Sequence, residues 1–205
     1  MCIRDSLFFV TKEGTIKKVM VDQFKNIRRT GLIAVSLGKK DQLVNTMFCN
    51  NDDDVILVTE GGKAIRFTTK EVRASGRSSR GVRGIRLASG DSVIGALVIS
   101  DNAKKEGKLL TLSGKGYGKQ TKLNTFKAQK RGGSGLKAAL LTERTGKLVG
   151  AHICTDCEGE IITMSRKGQM VRVGIDEIPQ RGRGTQGVSV MKLKGGDTLT
   201  ASTYM

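Results

Sequence analysis

Four stretches of this 205-residue chain follow one plan, and that repetition restricts its fold more than any other feature. They read LFFVTKEGTIKK (Leu7–Lys18), VILVTEGGKAIRF (Val55–Phe67), LLTLSGKGYGKQT (Leu109–Thr121) and IITMSRKGQMVRV (Ile161–Val173). Each is an apolar strand, a glycine turn and a basic strand, followed by a loop rich in Gly, Arg and Lys. The turn glycines are Gly14, Gly62, Gly116 and Gly168. A second glycine follows in every repeat, at Gly31, Gly81, Gly135 and Gly187. Asp41, Asp91 and Asp197 then mark a third common position, which Lys147 takes in the third repeat.

Glycine tolerates positive φ, which tight hairpin tips require. The flanking Val, Ile, Leu, Thr and Phe suit a half-buried pleated surface. Ile65 and Phe67 fall on one face and Arg66 on the other; Val171 and Val173 oppose Arg172 in the same way. Wholly apolar runs such as Val55–Val58 suit an inner strand covered on both faces. Apart from a short helical turn at Thr69–Ala74, no segment sustains a 3.6-residue period. The class is therefore all-β: a β-pinwheel, or propeller-like array, of four repeats, each a small antiparallel sheet. Four hairpins inside an ordinary sandwich or barrel would leave the registration of three markers without a cause. The expected division is a leader over residues 1–6 that is not part of the fold, then blades over 7–53, 54–102, 103–156 and 157–205.

Charge points to the partner. The chain carries 36 Lys and Arg against 19 acids, a net +17, which repels itself unless an acidic partner offsets it. More than half of the excess lies in residues 103–156, with 12 basic and 3 acidic residues. The cations gather in the glycine-rich loops: Lys25, Arg28 and Arg29 in the first repeat, then Arg73, Arg77, Arg80, Arg83 and Arg86 in the second. The third loop has Lys127, Lys130, Arg131 and Lys137, beside Gln129; the fourth has Arg181 and Arg183. Recurring at one place in each unit, these loops should share one rim, where phosphate can approach both cations and backbone N–H groups. Only eight aromatic residues occur and none lies within a basic loop. Single-strand binders stack bases on aromatics, so duplex backbone contacts fit better.

Other chemistry finds little support. His152, Cys154 and Cys157 lack the further ligands of a closed zinc site. No nucleophile–base pair accompanies His152, the one histidine. Asp52, Asp53 and Asp54 read as a solvated turn. GKGYG at Gly114–Gly118 lacks the ending and helix of a phosphate loop and matches the other hairpin tips. Four cysteines form no disulfide framework, and no run has the length of a membrane helix; a cytoplasmic protein is the expectation.

At the repeat markers the chain resembles a known family. GTIKK (Gly14–Lys18), GVRGIRL (Gly81–Leu87), GYGK (Gly116–Lys119), TERTGKLVGA (Thr142–Ala151) and TQGV (Thr185–Val188) are similar to motifs of the C-terminal domain of DNA gyrase A, in the same order. That family forms a six-bladed pinwheel with strands exchanged between blades, and wraps duplex DNA around its basic perimeter. The resemblance implies that Leu7–Met205 correspond to the last four blades and carry no catalytic residue. It also implies a parent type II topoisomerase that supercoils DNA negatively. Its ATP and magnesium would be bound elsewhere, and its partners would be the rest of gyrase A together with gyrase B, in a chromosome-associated heterotetramer. Gln129–Gly135, QKRGGSG, resembles the family's basic box QRRGGKG, with Lys130 for Arg and Ser134 for Lys. Two alternatives stand beside this: the equivalent domain of topoisomerase IV, and a non-enzymatic propeller module for acidic partners.

Overall fold

Each repeat begins with a hairpin that its own turn residues specify. In the computed structural model, which describes residues 5–27, 29–155 and 159–205, the first repeat has β1 (Ser6–Thr11) and β2 (Thr15–Met20). Gly14 sits at φ +78° and donates its N–H to Thr11 O at 3.0 Å, while Thr11 Oγ1 accepts from Thr15 N. Gly62 with Thr59, Gly116 with Ser113 and Gly168 with Ser165 repeat this turn. The Asp marker clamps it: Asp41 Oδ1 accepts from Glu13 N, Asp91 Oδ1 from Gly61 N and Asp197 Oδ1 from Lys167 N, at 2.9, 2.7 and 3.1 Å. In the third repeat the strand register places Gly146 at this position and not Lys147, as the spacing had suggested; Thr145 O accepts from Lys115 N in place of the carboxylate, while Lys147 O accepts from Gly114 N as Gln42 O does from Lys12 N.

The second repeat holds β4 (Asp54–Thr59), β5 (Lys63–Thr68), β6 (Val82–Arg83) and β7 (Val93–Ile99). The third holds β8 (Lys108–Ser113), β9 (Tyr117–Lys122), β10 (Leu136–Lys137) and β11 (Leu148–Cys154). The fourth holds β12 (Glu160–Ser165), β13 (Met170–Gly174), β14 (Val188–Ser189) and β15 (Leu199–Tyr204). With β3 (Leu43–Cys49) in the first, the sheet orders are β3-β1-β2-β6, β10-β5-β4-β7, β11-β8-β9-β14 and β13-β12-β15. One short strand of each later repeat thus completes the sheet of the repeat before it. All named pairings are antiparallel.

The long last strands β3, β7, β11 and β15 lie side by side in turn, forming the inner side. The exchanged strands β6, β10 and β14 lie at the opposite, outer edge of their sheets. Three apolar cores fill the gaps between successive sheets: Phe8, Ile16, Leu57 and Phe67 in the first, Ile56, Leu109 and Phe126 in the second, Leu112, Ile161 and Met191 in the third. β4, interior to its sheet, is buried along its whole length, as its apolar run predicts.

Three details differ from the sequence reading. β1 starts at Ser6, which is buried and pairs with Met20 and Cys49, so the fold takes in the last residue of the expected leader. One six-residue helix, α1 (Asp101–Glu106), is capped by Ser100; at Thr69–Ala74 a 3-10 turn covers only Thr69–Glu71. Of the three consecutive aspartates only Asp52 is solvated. Asp53 accepts from Asn50 N at 2.7 Å, and Asp54 pairs with Arg66 at 2.7 Å, largely buried.

Candidate nucleic-acid interface

In every repeat a 3-10 turn follows the second strand: Val21–Phe24, Thr69–Glu71, Leu123–Thr125 and Ile175–Glu177. It redirects the chain off the sheet, and the basic loop begins there. In the last three repeats the loop ends in the exchanged strand, so it flanks the outer edge. Arg73, Arg80, Arg83, Arg86, Lys127, Lys130, Lys137 and Arg181 are exposed there; Arg77, Gln129, Arg131 and Arg183 are half-buried. Lys25 and Arg29 of the first loop are exposed, and Arg28 lies outside the described residues.

The second and third loops touch. Gly132 N donates to Gly84 O at 2.6 Å, and Arg86 N to Gly133 O at 2.8 Å. Arg131 ties this junction further: its N–H bonds Glu71 Oε2 at 2.9 Å, its Nε Glu71 O and its Nη1 Arg83 O, both at 3.2 Å. Part of the guanidinium's capacity is therefore spent on the protein itself, while Lys130 stands exposed beside it. Arg183 of the fourth loop lies 5.8 Å over the Phe126 ring, joining that loop to the third repeat.

Two lysines under these loops look, in the sequence, like ordinary members of basic strands. Lys17 Nζ donates to Ser79 O at 3.0 Å, Ala34 O at 3.2 Å and Arg77 O. Lys119 Nζ donates to Gly182 O, Arg183 O and Thr185 Oγ1 at 2.7, 2.9 and 3.3 Å. Each ammonium turns the carbonyls of the next repeat's loop inward. Burial pushes Lys119 down to about 8, and Lys17 is lowered by burial and then by nearby Arg77. Lys18, also buried, bonds Asn51 Oδ1 and Thr69 O. The second and fourth sheets place Ile65 and Val171 where the first and third have Lys17 and Lys119.

Lys63 is a further candidate that the loop pattern omits. It pairs across the strand with Lys137, and both are exposed. Like charges directly opposite repel, and an anion between them would relieve that. Its signal in the sequence is its place directly after the turn glycine Gly62, outside the basic loops.

No group of three or more His, Cys, Asp and Glu that could hold a metal occurs among the described residues. Cys154 is buried, His152 Nε2 lies 2.8 Å from Ser202 Oγ with its pKa lowered by burial, and Cys157 lies outside the described residues. No described helix is long and apolar enough to cross a membrane.

Sheets stacked side by side through their inner strands, the first three each completed by a strand of the next repeat, with cations along the outer edge, define a strand-exchanged β-propeller of the pinwheel kind. Known proteins make this specific. The chain belongs to the DNA gyrase C-terminal domain, beta-propeller family, whose model matches residues 5–50, 53–100, 107–155 and 159–202. The DNA gyrase A protein of Haloquadratum walsbyi is 40% identical over 196 residues, covering 94% of this chain and 22% of that protein. That of Pseudomonas aeruginosa is 39% identical over 193 residues, covering 94% and 20%. The chain thus spans about a fifth of these relatives. A solved DNA gyrase A C-terminal domain superposes with TM-score 0.85 at 26% identity, over 98% of this chain and 66% of that one. The C-terminal domain of DNA topoisomerase IV superposes at 0.91 with 22% identity, over 99% and 62%, a likeness of fold.

Proposed function

We propose that this chain binds duplex DNA along its outer edge and bends it around the blades, as part of the A protein of a gyrase. The observation that carries this is the recurrence of a basic loop on the same outer edge of successive sheets, with the second and third loops hydrogen-bonded to each other. Successive cations then meet successive phosphates on a curved path. Bending a 20–30 bp site by 40–90° costs on the order of 1–6 kcal/mol. One loop cannot offset that; several together can, by releasing the counterions condensed on the DNA.

The contact residues in this reading are Lys25, Arg28, Arg29, Arg73, Arg77, Arg80, Arg83, Arg86, Lys127, Gln129, Lys130, Arg131, Lys137, Arg181 and Arg183. Lys63 joins them. Contacts of this kind position the duplex without reading its sequence. Catalysis belongs to the rest of the parent enzyme, a cytoplasmic, chromosome-associated assembly with gyrase B that binds ATP and magnesium outside this chain. There, the bent duplex would be presented for strand passage and negative supercoiling. The gyrase A relatives at 40% and 39% identity favour gyrase over topoisomerase IV.

The test is to saturate a nicked circular plasmid with the chain, seal the nick, and remove the protein. A shifted linking number is expected. An unshifted distribution, with the chain shown to be bound, would remove wrapping from the proposal.

A further inference from the structure

The exchanged strands make three junctions with one register. Thr15 pairs with Arg83 at the first, Lys63 with Lys137 at the second and Tyr117 with Ser189 at the third. Gly62 with Gly116, and Gly135 with Gly187, align the second junction with the third residue by residue. Charge is exchanged between the two. At the second junction the cross-strand pair on the outer edge is two exposed lysines. At the third it is Tyr117 and Ser189, and neither carries a charge.

The missing cations reappear on the side of the sheets where the hairpin tips lie. There Lys115 takes the place of Gly61, Arg144 that of Ser89, Lys192 that of Leu140 and Lys194 that of Thr142. All four are exposed, and together with Tyr117 they line one cleft between the third hairpin tip and the loop from β14 to β15. Arg86 and Leu140, at the position of Lys192, stay exposed although the next repeat's loop bonds their N–H groups, so exposure is a property of this position. Arg144 Nε donates to the Tyr117 hydroxyl at 2.8 Å, with the guanidinium carbon 5.3 Å from the ring centroid. The phenol oxygen accepts from the protein, and its O–H is left to donate to an anion. Lys115 Nζ gives one bond to Glu143 O and has two donors more. Asp197 is the one acid among the described residues that line the cleft. It is buried, and its Oδ1 accepts from Lys167 N and Thr198 N at 3.1 and 2.8 Å, so its charge is turned into the protein. Four cations and a phenol, with the carboxylate so engaged, make a site for adjacent phosphates.

We propose that duplex phosphates held on the outer edge at the second junction pass at the third onto the tip side, across the cleft of Lys115, Arg144, Lys192 and Lys194. This rests on the reading that the outer edge binds duplex DNA. The track then runs obliquely across the successive sheets, leaving the edge where the edge pair loses its charge. It also gives a use to Lys115 and Arg144, which belong to the charge excess of residues 103–156 but lie outside the basic loops. Like the loop cations, these residues touch the backbone and position the duplex without reading its sequence.

Salt titrations of the chain on duplex DNA, read by fluorescence anisotropy, test this. Arg144→Gln with Lys192→Gln removes two contacts, so the slope of log K against log salt should become shallower by about 1.8. Lys194→Gln alone should take off about 0.9. Lys105→Gln with Lys122→Gln removes the same charge from the opposite end of the third repeat, where both side chains are exposed, and should leave the slope as it is. Circular dichroism of each variant checks that its sheets are intact. If the cleft variants leave the slope unchanged while Lys130→Ala with Arg131→Ala flattens it, the tip-side track is overturned and the outer edge stands. An equal change from the Lys105 and Lys122 pair also overturns the track, because the effect is then one of net charge. If Lys130→Ala with Arg131→Ala leaves the slope unchanged as well, the outer-edge reading fails and the track falls with it.

Discussion

The second and third junctions place a basic loop over the same point of the preceding sheet, but on different floors. Loop 127–137 lies over Ile65, whose Cδ1 is 3.6 Å from the Cβ position of Gly133. Loop 179–189 lies over Lys119, whose ammonium holds two of its carbonyls and the Thr185 hydroxyl. The first is held from its sides, by Arg131 to Glu71 and Arg83 and by two backbone bonds to the neighbouring loop. The second is held from beneath. A loop that faces phosphate needs its carbonyls turned away from the anion, and a buried ammonium and a lateral guanidinium are two ways to achieve it.

What the junctions share should be the most sensitive to change. Gly135→Ala and Gly187→Ala each force a Cβ against a backbone oxygen at 2.6 and 2.4 Å while keeping positive φ. Each should cost about 3 kcal/mol or more in urea unfolding. Gly31→Ala, with open space around it, should lose only about 1 kcal/mol through φ alone. Equal losses at all three would mean that the close approach of the strands contributes little.

The floors should separate next. Lys119→Met leaves two loop carbonyls and the Thr185 hydroxyl without this donor and should speed hydrogen exchange at Gly182–Thr185. Ile65→Met, a volume-conserving swap, should cost less than about 1.5 kcal/mol and leave loop 127–137 protected. Similar exchange in both variants would erase the distinction between the two floors.

DNA affinity should differ more modestly. Replacing Lys130 and Arg131 with Ala should weaken duplex binding more than replacing Arg181 and Arg183. The first pair adjoins the second loop, so its loss disturbs two loops, and on the order of tenfold is expected at low salt. Equal effects in a titration would show that the two loops share the load.

A further effect is one of pH. Lys119 loses its proton near 8 when folded and near 10.5 when unfolded. Between those values the unfolded chain binds the extra proton, so this residue makes stability rise with pH across that window. Lys119→Met should flatten that part of the profile, measured by urea unfolding from pH 7.5 to about 10. An unchanged slope would place the titration elsewhere, with Lys17 and Lys18, also lowered by burial, the next to examine.

Much of the architecture was legible in the chain because glycines at positive φ leave a local mark. Gly14, Gly62, Gly116 and Gly168 sit at the tips that their spacing predicts, and Asp41, Asp91 and Asp197 clamp those tips. The exchange of strands was visible through the family resemblance alone. Val82–Arg83, Leu136–Lys137 and Val188–Ser189 are two residues each, too short to show a period. The basic loops were legible as charge, but the roles within them were not. Lys17 and Lys119 look like surface cations in GTIKK and GYGK because the carbonyls that bury them lie about 60 residues away. For the same reason the large charge of residues 103–156 overstates the outer edge there: Lys119 is buried and Lys147 pairs with Glu60.

Several loops engaging one duplex together should leave a direct mark on the salt dependence of binding. Each neutralised phosphate contributes about −0.9 to the slope of log K against log salt. Four loops with at least one contact each predict a slope of about −3.6 or steeper for the wild-type chain on duplex DNA, by fluorescence anisotropy. A slope near about −1, or binding that salt does not weaken, would contradict a shared outer edge.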